Sequence, residues 1–476
     1  MLQTIDKNKF PTTDEMFGWI KEMCRWEHRK TGTPESLKSA EYIAGKFREF
    51  GLEEVEIEKV PSMCMFVDKC ELSIDGEKLD TMFANGTNRA SDEGTFTFGS
   101  SDSEDEFIYL GKGLEDDFDK VDVAGKIVVC DIYFRYMPVS MFEEMIPDEL
   151  VEQLIYDPHG RLKNAEPILD IYSPNNWPYN YFYAQLKGVK GFVGILQDYV
   201  DDPDWYSEDY TFFGEDMGIE FMKLPGMWLS KSTGEALKSK FAEKGVLKGN
   251  MQMTSRYEYK DALNVKGIIK GESDEIVLMH SHHDAVYAGG VQDASGMSTV
   301  LALAEYFAAP GNKKSDKTYM FGAMDSHFTD YNGHEGFIKR RKELGDKLIY
   351  DFVVEHVGKD VCIENGEFKE TGEGVPKLMY VSAADPEMIM KVREEIAKYD
   401  IDKTIIMPVE HEEEADYTSD SNVISDANLF ETEGINIVSM VSSPAYLFHP
   451  SDTPDRVMKE WLQPIGMMYA ELMESV

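Results

Sequence analysis

Positive charge is what this sequence lacks most. Its 476 residues hold 48 Lys and Arg against 89 Asp and Glu, a formal net charge of −41 at pH 7. That balance excludes nucleic acid and membrane as expected partners, because phosphate binding needs clustered basic side chains. Cysteine is scarce as well. The five residues Cys24, Cys64, Cys70, Cys130 and Cys362 are an odd number without close metal-ligand spacing. Cys64 and Cys70 are near enough in sequence to pair, but reduced thiols in a cytoplasmic protein are the expectation. No apolar run approaches a membrane span. The opening MLQTIDKNKF has no apolar core and no cleavage site, so no signal peptide is expected. What is present is ordinary globular material, 42% hydrophobic and 12% aromatic. The length makes two domains the natural expectation.

The chain is organised around VLMHSHHDAVYAGGVQDASGMSTVLALAEYF, from Val277 to Phe307. An apolar run reads as a buried parallel strand and ends in His282-His283-Asp284. Open α/β sheets place their chemistry at such strand ends. A glycine turn follows at Gly289-Gly290, then Gln292-Asp293-Ala294-Ser295-Gly296. Val300, Leu301, Leu303, Ala304 and Phe307 recur at helical spacing, and Pro310-Gly311 stops the helix. His-x-Asp carries a mechanism: a metal-bound imidazole needs its other nitrogen held by an acceptor, and a carboxylate two residues on supplies one.

Residues 14–50 read as two helices around the turn Arg29-Lys30-Thr31-Gly32-Thr33-Pro34, and Glu54 to Val60 alternates as a strand does. From about Pro61 to Met253 the texture changes to short β-like runs and acidic loops. Within it lie Gly125-Lys126-Ile127-Val128-Val129 and the run from Ala184 to Leu196. An aromatic segment, NNWPYNYFY, and the cluster Trp205, Tyr206, Tyr210, Phe212 and Phe213 read either as core of this region or as wall of a pocket. After Tyr257, strands at Ala262–Ile269, Thr318–Met324, Leu348–Val354 and Gly434–Val441 alternate with helices, among them Glu387–Tyr399 and a terminal helix. Ser419 to Phe430 reads as a polar loop. The pattern gives an α/β fold with a mainly parallel sheet covered on both faces.

The motif HHDAVYAGGVQDASG resembles the His-x-Asp and Asp-x-x-Ser-Gly signature of the co-catalytic zinc exopeptidases. That family includes bacterial zinc aminopeptidases, glutamate carboxypeptidase II and the transferrin receptor. The resemblance covers nearly the whole chain. It implies a phosphorylase/hydrolase-like mixed sheet made of residues 1–60 and 254–476. The GKIVV run and its partner resemble the signature of a protease-associated domain, which implies a β-rich insert at 61–253 covering the cleft. The resemblance also implies a metal-dependent, aminopeptidase-like hydrolase acting on a small peptide or small-molecule amide.

Carried over residue by residue, it assigns His282 as a metal ligand and Asp284 as its partner. Glu355 takes the place of an aspartate ligand, and His449 in FHPSDTPD takes that of a late histidine ligand. The bridging carboxylate position falls on Gln292, with Asp293 beside it as a candidate ligand. The general-base position becomes His327, and the neighbouring ligand position becomes Phe328. His327 thus reads as a base, as a further ligand or as the remnant of a decayed site. Gln292 and Tyr446 are candidate substrate contacts. His283, His334 and His356 read as surface or loop histidines. With the bridge and one carboxylate gone, one divalent ion is expected rather than two, zinc first and iron or manganese as alternatives. Altered chemistry on a small metabolite and a non-catalytic binding role stay open beside hydrolysis, as does a homo-oligomer.

Overall fold

The computed structural model describes residues 5–144, 146, 150–310, 315–411 and 423–476. The chain opens with helix α1 (Thr13–Met23), held at its start by a reciprocal Thr12/Glu15 capping box. Helix α2 (Pro34–Phe50) begins with proline in its first turn and stops at Gly51, whose φ of 93° favours a residue without Cβ. Strand β1 (Glu53–Ile74) follows. Further on, β2 (Ile127–Ile132) and β3 (Gly191–Leu196) are fully buried parallel neighbours, paired from Ile127↔Gly191 to Ile132↔Leu196. Strand β4 (Val246–Ile269) runs back along β1 as an antiparallel ribbon from Glu53↔Ile268 to Ile74↔Gly249.

This ribbon changes the picture drawn from sequence. The expected boundaries at residues 61 and 253 fall inside β1 and β4, so the sheet crosses them without a break. Strand Asp105–Tyr109 then joins β4 to β2, which makes one continuous sheet of both regions.

The second half supplies β5 (Glu275–His282), helix α3 (Ala294–Ala308), β6 (Thr318–Met324), helix α4 (Asn332–Leu344) and β7 (Lys347–Val354). It continues with β8 (Lys377–Ser382), helix α5 (Pro386–Lys398), β9 (Thr404–Val409), β10 (Asn436–Ser442) and helix α6 (Lys459–Met473). The order is β4-β6-β5-β7-β10-β8-β9. Strands β6, β5, β7 and β10 are mutually parallel, whereas β4 and β8 join antiparallel. Alternate side chains of β5 enter opposite cores. Val277 and Met279 pack with α1, α2, α3 and α6, while Ile276 and Leu278 pack with Phe337 and Ile338 of α4. A strand buried on both faces therefore reads as an unbroken apolar run.

Of the expected polar loop, residues 419–422 lie outside the described residues, as does Gly311, and Asn428–Thr432 is a short helix. All five cysteines are free thiols. No helix among the described residues is long and apolar enough to cross a membrane.

Candidate active site

The carboxyl ends of β5, β6 and β7 meet in one place. His282 is the last residue of β5, Glu355 directly follows β7, and His327 lies three residues beyond β6. Helix α3 is tied there by its first turn. Ser295 Oγ donates to Val291 O at 2.8 Å and accepts from Val357 N at 2.9 Å. A Cβ on Gly296 would lie 2.1 Å from Val354 O, so only glycine lets the helix start against β7. This is the local reason for Ser-Gly. Arg29 fixes the loop beyond β5, donating to the carbonyls of His283 at 2.7 Å, Ala288 at 2.5 Å and Gly289 at 3.2 Å.

The His-x-Asp reading takes shape here. His282 Nδ1 lies 3.2 Å from Asp284 Oδ1 and 3.1 Å from Asp284 O, both acceptors, so Nδ1 carries the proton. Its Nε2 is buried without any partner. Burial, aided by the charge of His327, lowers the His282 pKa to about 4 and keeps the ring neutral. For Asp284 burial pushes upward, but the hydrogen bond from His282, helped by the charge of His327, prevails and brings its carboxyl to about 2.

His356 repeats this arrangement and was not expected to. It is buried rather than on the surface, because a left-handed backbone at φ 63° turns it inward. Its Nδ1 donates to Ser442 O at 2.6 Å, its Nε2 has no hydrogen-bond partner, and burial lowers its pKa to about 3. Its Nε2 lies 3.9 Å from Glu355 Oε2. His282, Glu355 and His356 thus bring three ligand-type atoms within 4.8 Å of one another. The signal in the sequence was slight: a histidine directly after a strand-end glutamate.

His327 belongs to a different arrangement. Its Nδ1 lies 2.8 Å from Asp426 Oδ1, while Asp426 Oδ2 lies 3.0 Å from His334 Nε2. Burial opposes charge on His327, yet Asp426, Asp284 and Glu355 outweigh it and raise its pKa to about 10. Burial would likewise raise Asp426, but the two imidazoles hold it well below the usual carboxylate range. A doubly protonated His327 has no lone pair to give. Gln292 lies 3.4 Å from His327 Nε2. The atom that faces it is the amide Nε2, and Gln292 Oε1 is buried without a partner, so only an amide turned by 180° would accept from that N–H. His282, His327 and Asp426 also lie within ligand distance. There, however, the two rings stack at 4.0 Å and 9°. An ion in the plane of one ring would sit well out of the plane of the other.

The other candidates lie elsewhere. Asp293 caps α3, accepting from Gly296 N at 3.0 Å, His356 N at 3.2 Å and the Ser281 hydroxyl, so its oxygens are taken. His449 Nε2 lies 2.9 Å from Asp202 Oδ2, and its Nδ1 accepts from Ser451 N at 3.0 Å. It falls in neither ligand group among the described residues. Tyr446 is fully buried and donates to Lys359 O at 2.8 Å, which makes it core rather than a substrate contact. His283 bridges Ser39 Oγ and Leu263 O, and His334 is buried on Asp426, so neither is a surface residue. Phe328, at the position of a carboxylate ligand, packs its ring 5.7 Å from that of His282.

A cavity of about 950 Å³ opens in front of Glu355, His356 and His327. The residues expected as insert supply one wall, including Tyr172 and Phe212, and Val423, Ile424 and Asn428 supply the other. The aromatic cluster therefore splits. Trp205, Tyr206 and Tyr210 are core, and Phe212 is exposed to the cavity.

Part of the chain matches a known family in sequence, and the fold matches solved structures. The sequence model of Peptidase family M28 matches residues 264–347, which hold β5, α3, β6 and His327. The fold is that of solved aminopeptidases. It is similar to BSAP, a zinc aminopeptidase from Bacillus subtilis, at 17% identity over 98% of this chain and 95% of that one, with a TM-score of 0.63. The aminopeptidase from Aneurinibacillus sp. strain AM-1 matches at 17% identity over 98% and 94%, with a TM-score of 0.61. The Peptidase M28 precursor from Shewanella amazonensis matches at 14% over 96% and 91%, with a TM-score of 0.65. No curated protein matches this chain in sequence.

Proposed function

We propose that this chain is a metal-dependent hydrolase of amide bonds, aminopeptidase-like, with one divalent ion held by His282, Glu355 and His356. The observation that carries the reading is the pair of buried, neutral, unpartnered Nε2 atoms that meet the Glu355 carboxylate. Two histidines and a carboxylate with their distal nitrogens anchored suit zinc first, and also iron or manganese. A divalent ion bound there supplies Lewis acidity to an amide carbonyl and acidity to water.

The chain's own residues do the rest. Asp284 and Ser442 O hold the two imidazoles in the tautomer that leaves Nε2 free. Asp426 holds His327 as a proton-bearing group at the cavity, where it donates to the departing nitrogen or stabilises growing negative charge. A cation at His282 Nε2 would lower the His327 pKa from its present level and bring it nearer the range for proton exchange. Residues 61–253 act as the roof of the cavity.

One observation favours a second reading, a metal-dependent reaction on a small metabolite other than a peptide. Gln292 and Phe328 stand where the resemblance implies a bridging carboxylate and a carboxylate ligand, and both are buried in the site.

Elemental mass spectrometry on protein purified without chelator, with hydrolysis of aminoacyl amides measured alongside, tests the proposal. About one ion per chain, lost together with activity in His282→Ala, is the expected result. No ion after growth with zinc, iron and manganese overturns the enzyme reading. A bound ion with every amide left intact favours the second.

A further inference from the structure

The loop after β10 carries His449, which the resemblance makes a ligand and which instead faces Asp202. The same loop reaches the site through another residue. Asp452 is buried, and its carboxylate accepts from Val291 N at 2.7 Å through Oδ1 and from Gln292 N at 3.0 Å through Oδ2. Its carbonyl accepts from Gly290 N at 3.3 Å. A Cβ on Gly290 would lie 2.3 Å from Thr453 C, so the two loops meet backbone to backbone, an approach that glycine permits.

The loop ahead of α3 is thus held by two buried ions of opposite sign. Arg29 takes the carbonyls of Ala288 and Gly289, and Asp452 takes the N–H groups of the next three residues. Neither ion forms a salt bridge with a described residue, so peptide dipoles compensate both. Burial raises the Asp452 carboxyl to about 7, against the pull of those N–H groups and of Arg29. What this clamp holds in place is Gln292. Its amide lies 3.4 Å from His327 Nε2, and its Oε1 is buried without a partner, so the amide is spent on no structural bond elsewhere. Neither Asp452 nor Gln292 lines the cavity, whereas His327 does, so their route to a substrate runs through His327.

We propose that Asp452 is a positioning residue that acts through Gln292: it fixes the Gln292 amide against His327, the proton-bearing group of the cavity. This rests on the hydrolase reading above. The loop that supplies a ligand in the resemblance here acts on the proton donor instead.

The test is a double-mutant cycle on the full metal-loaded chain. Turnover of aminoacyl 4-nitroanilides and metal content are read at about pH 8, where Asp452 is ionised. Asp452→Asn should lower kcat by about tenfold or more, with KM and the ion retained. In a Gln292→Met background the same change should cost no more than about twofold, because the contact it acts through is already gone. Asp452→Glu, which keeps the charge but moves the oxygens, enters the same cycle and stands in if Asp452→Asn does not fold. Costs that simply multiply, an unchanged kcat, or loss of the ion in Asp452→Asn overturn the proposal and leave the hydrolase reading intact. If the wild-type chain turns over no amide, the hydrolase reading fails and the ring nitrogen resonances of His327 decide alone. Their displacement by Asp452→Asn, absent when Gln292→Met is already in place, supports the positioning role. Resonances that Asp452→Asn leaves unmoved overturn it.

Discussion

Two pairs of buried histidines flank Glu355, and they differ in what their nitrogens are left to do. In His282 and His356 one nitrogen is anchored and the other has no partner. In His327 and His334 one nitrogen of each is drawn onto the same carboxylate, Asp426; His334 Nδ1 is also unpartnered, but His334 belongs to neither ligand group among the described residues. All four rings are buried, so burial does not distinguish them. A shared carboxylate turns a histidine into half of an ionic latch, while a neutral ring with a stranded lone pair is prepared for a Lewis acid. The two states coexist because Asp426 also donates its backbone N–H to Glu355 Oε1 at 2.9 Å, tying latch to ligand set without joining its chemistry.

The sharpest way to break this contrast is metal affinity. His356→Ala should weaken metal binding by about 100-fold or more, whereas His449→Ala, a residue held by Asp202, should change it by only a few-fold. Competition against a chromophoric chelator reads both, and the reverse order would restore His449 to the ligand set. The latch side is read by stability. Asp426→Asn strands a buried imidazolium, so urea unfolding should show a loss of about 3 kcal/mol, with metal still bound. Metal loss in that variant as severe as in His356→Ala would erase the difference between the pairs.

The smallest effect concerns a carboxyl that lacks such partners. Burial raises Asp360 to about 6, against the pull of Lys403. From about pH 4 to 6 the unfolded chain gives up this proton first. Stability therefore falls as pH rises through that window, by about 2 kcal/mol, and Asp360→Asn should flatten this part of the curve. An unchanged slope would show that burial alone does not govern these acids.

Much of the frame is legible in the amino-acid sequence. Strands β5, β6 and β7 are apolar runs because they are buried on both faces, and His282 with Asp284 is a local pair whose spacing states its geometry. The proposed ligand set is only half legible. His356 depends on one left-handed residue that turns it inward, and periodicity does not record that. Asp426 stands 99 residues from His327 and has no pattern around it, since only the fold brings the two together. His449 misleads for the opposite reason. Its loop is a recognisable motif, but its partner Asp202 arrives from the roof, 247 residues away. Helix α4 escapes a sequence reading because its polar sequence offers little apolar stripe beyond Phe337 and Ile338. The expected domain edges mark no break because β1 and β4 change company along their length without ending.

That continuity has a mechanical side. The roof is carried on a two-stranded ribbon whose hydrogen bonds run from floor to roof, and its one irregularity beyond the strand's start lies at Val67/Lys69, out in the roof itself. A cantilever of this kind has no pivot at its root. It yields by flexing along its length, a little at each rung, so the mouth of the cavity keeps nearly one gauge. Cross-section is then the first thing an approaching molecule meets.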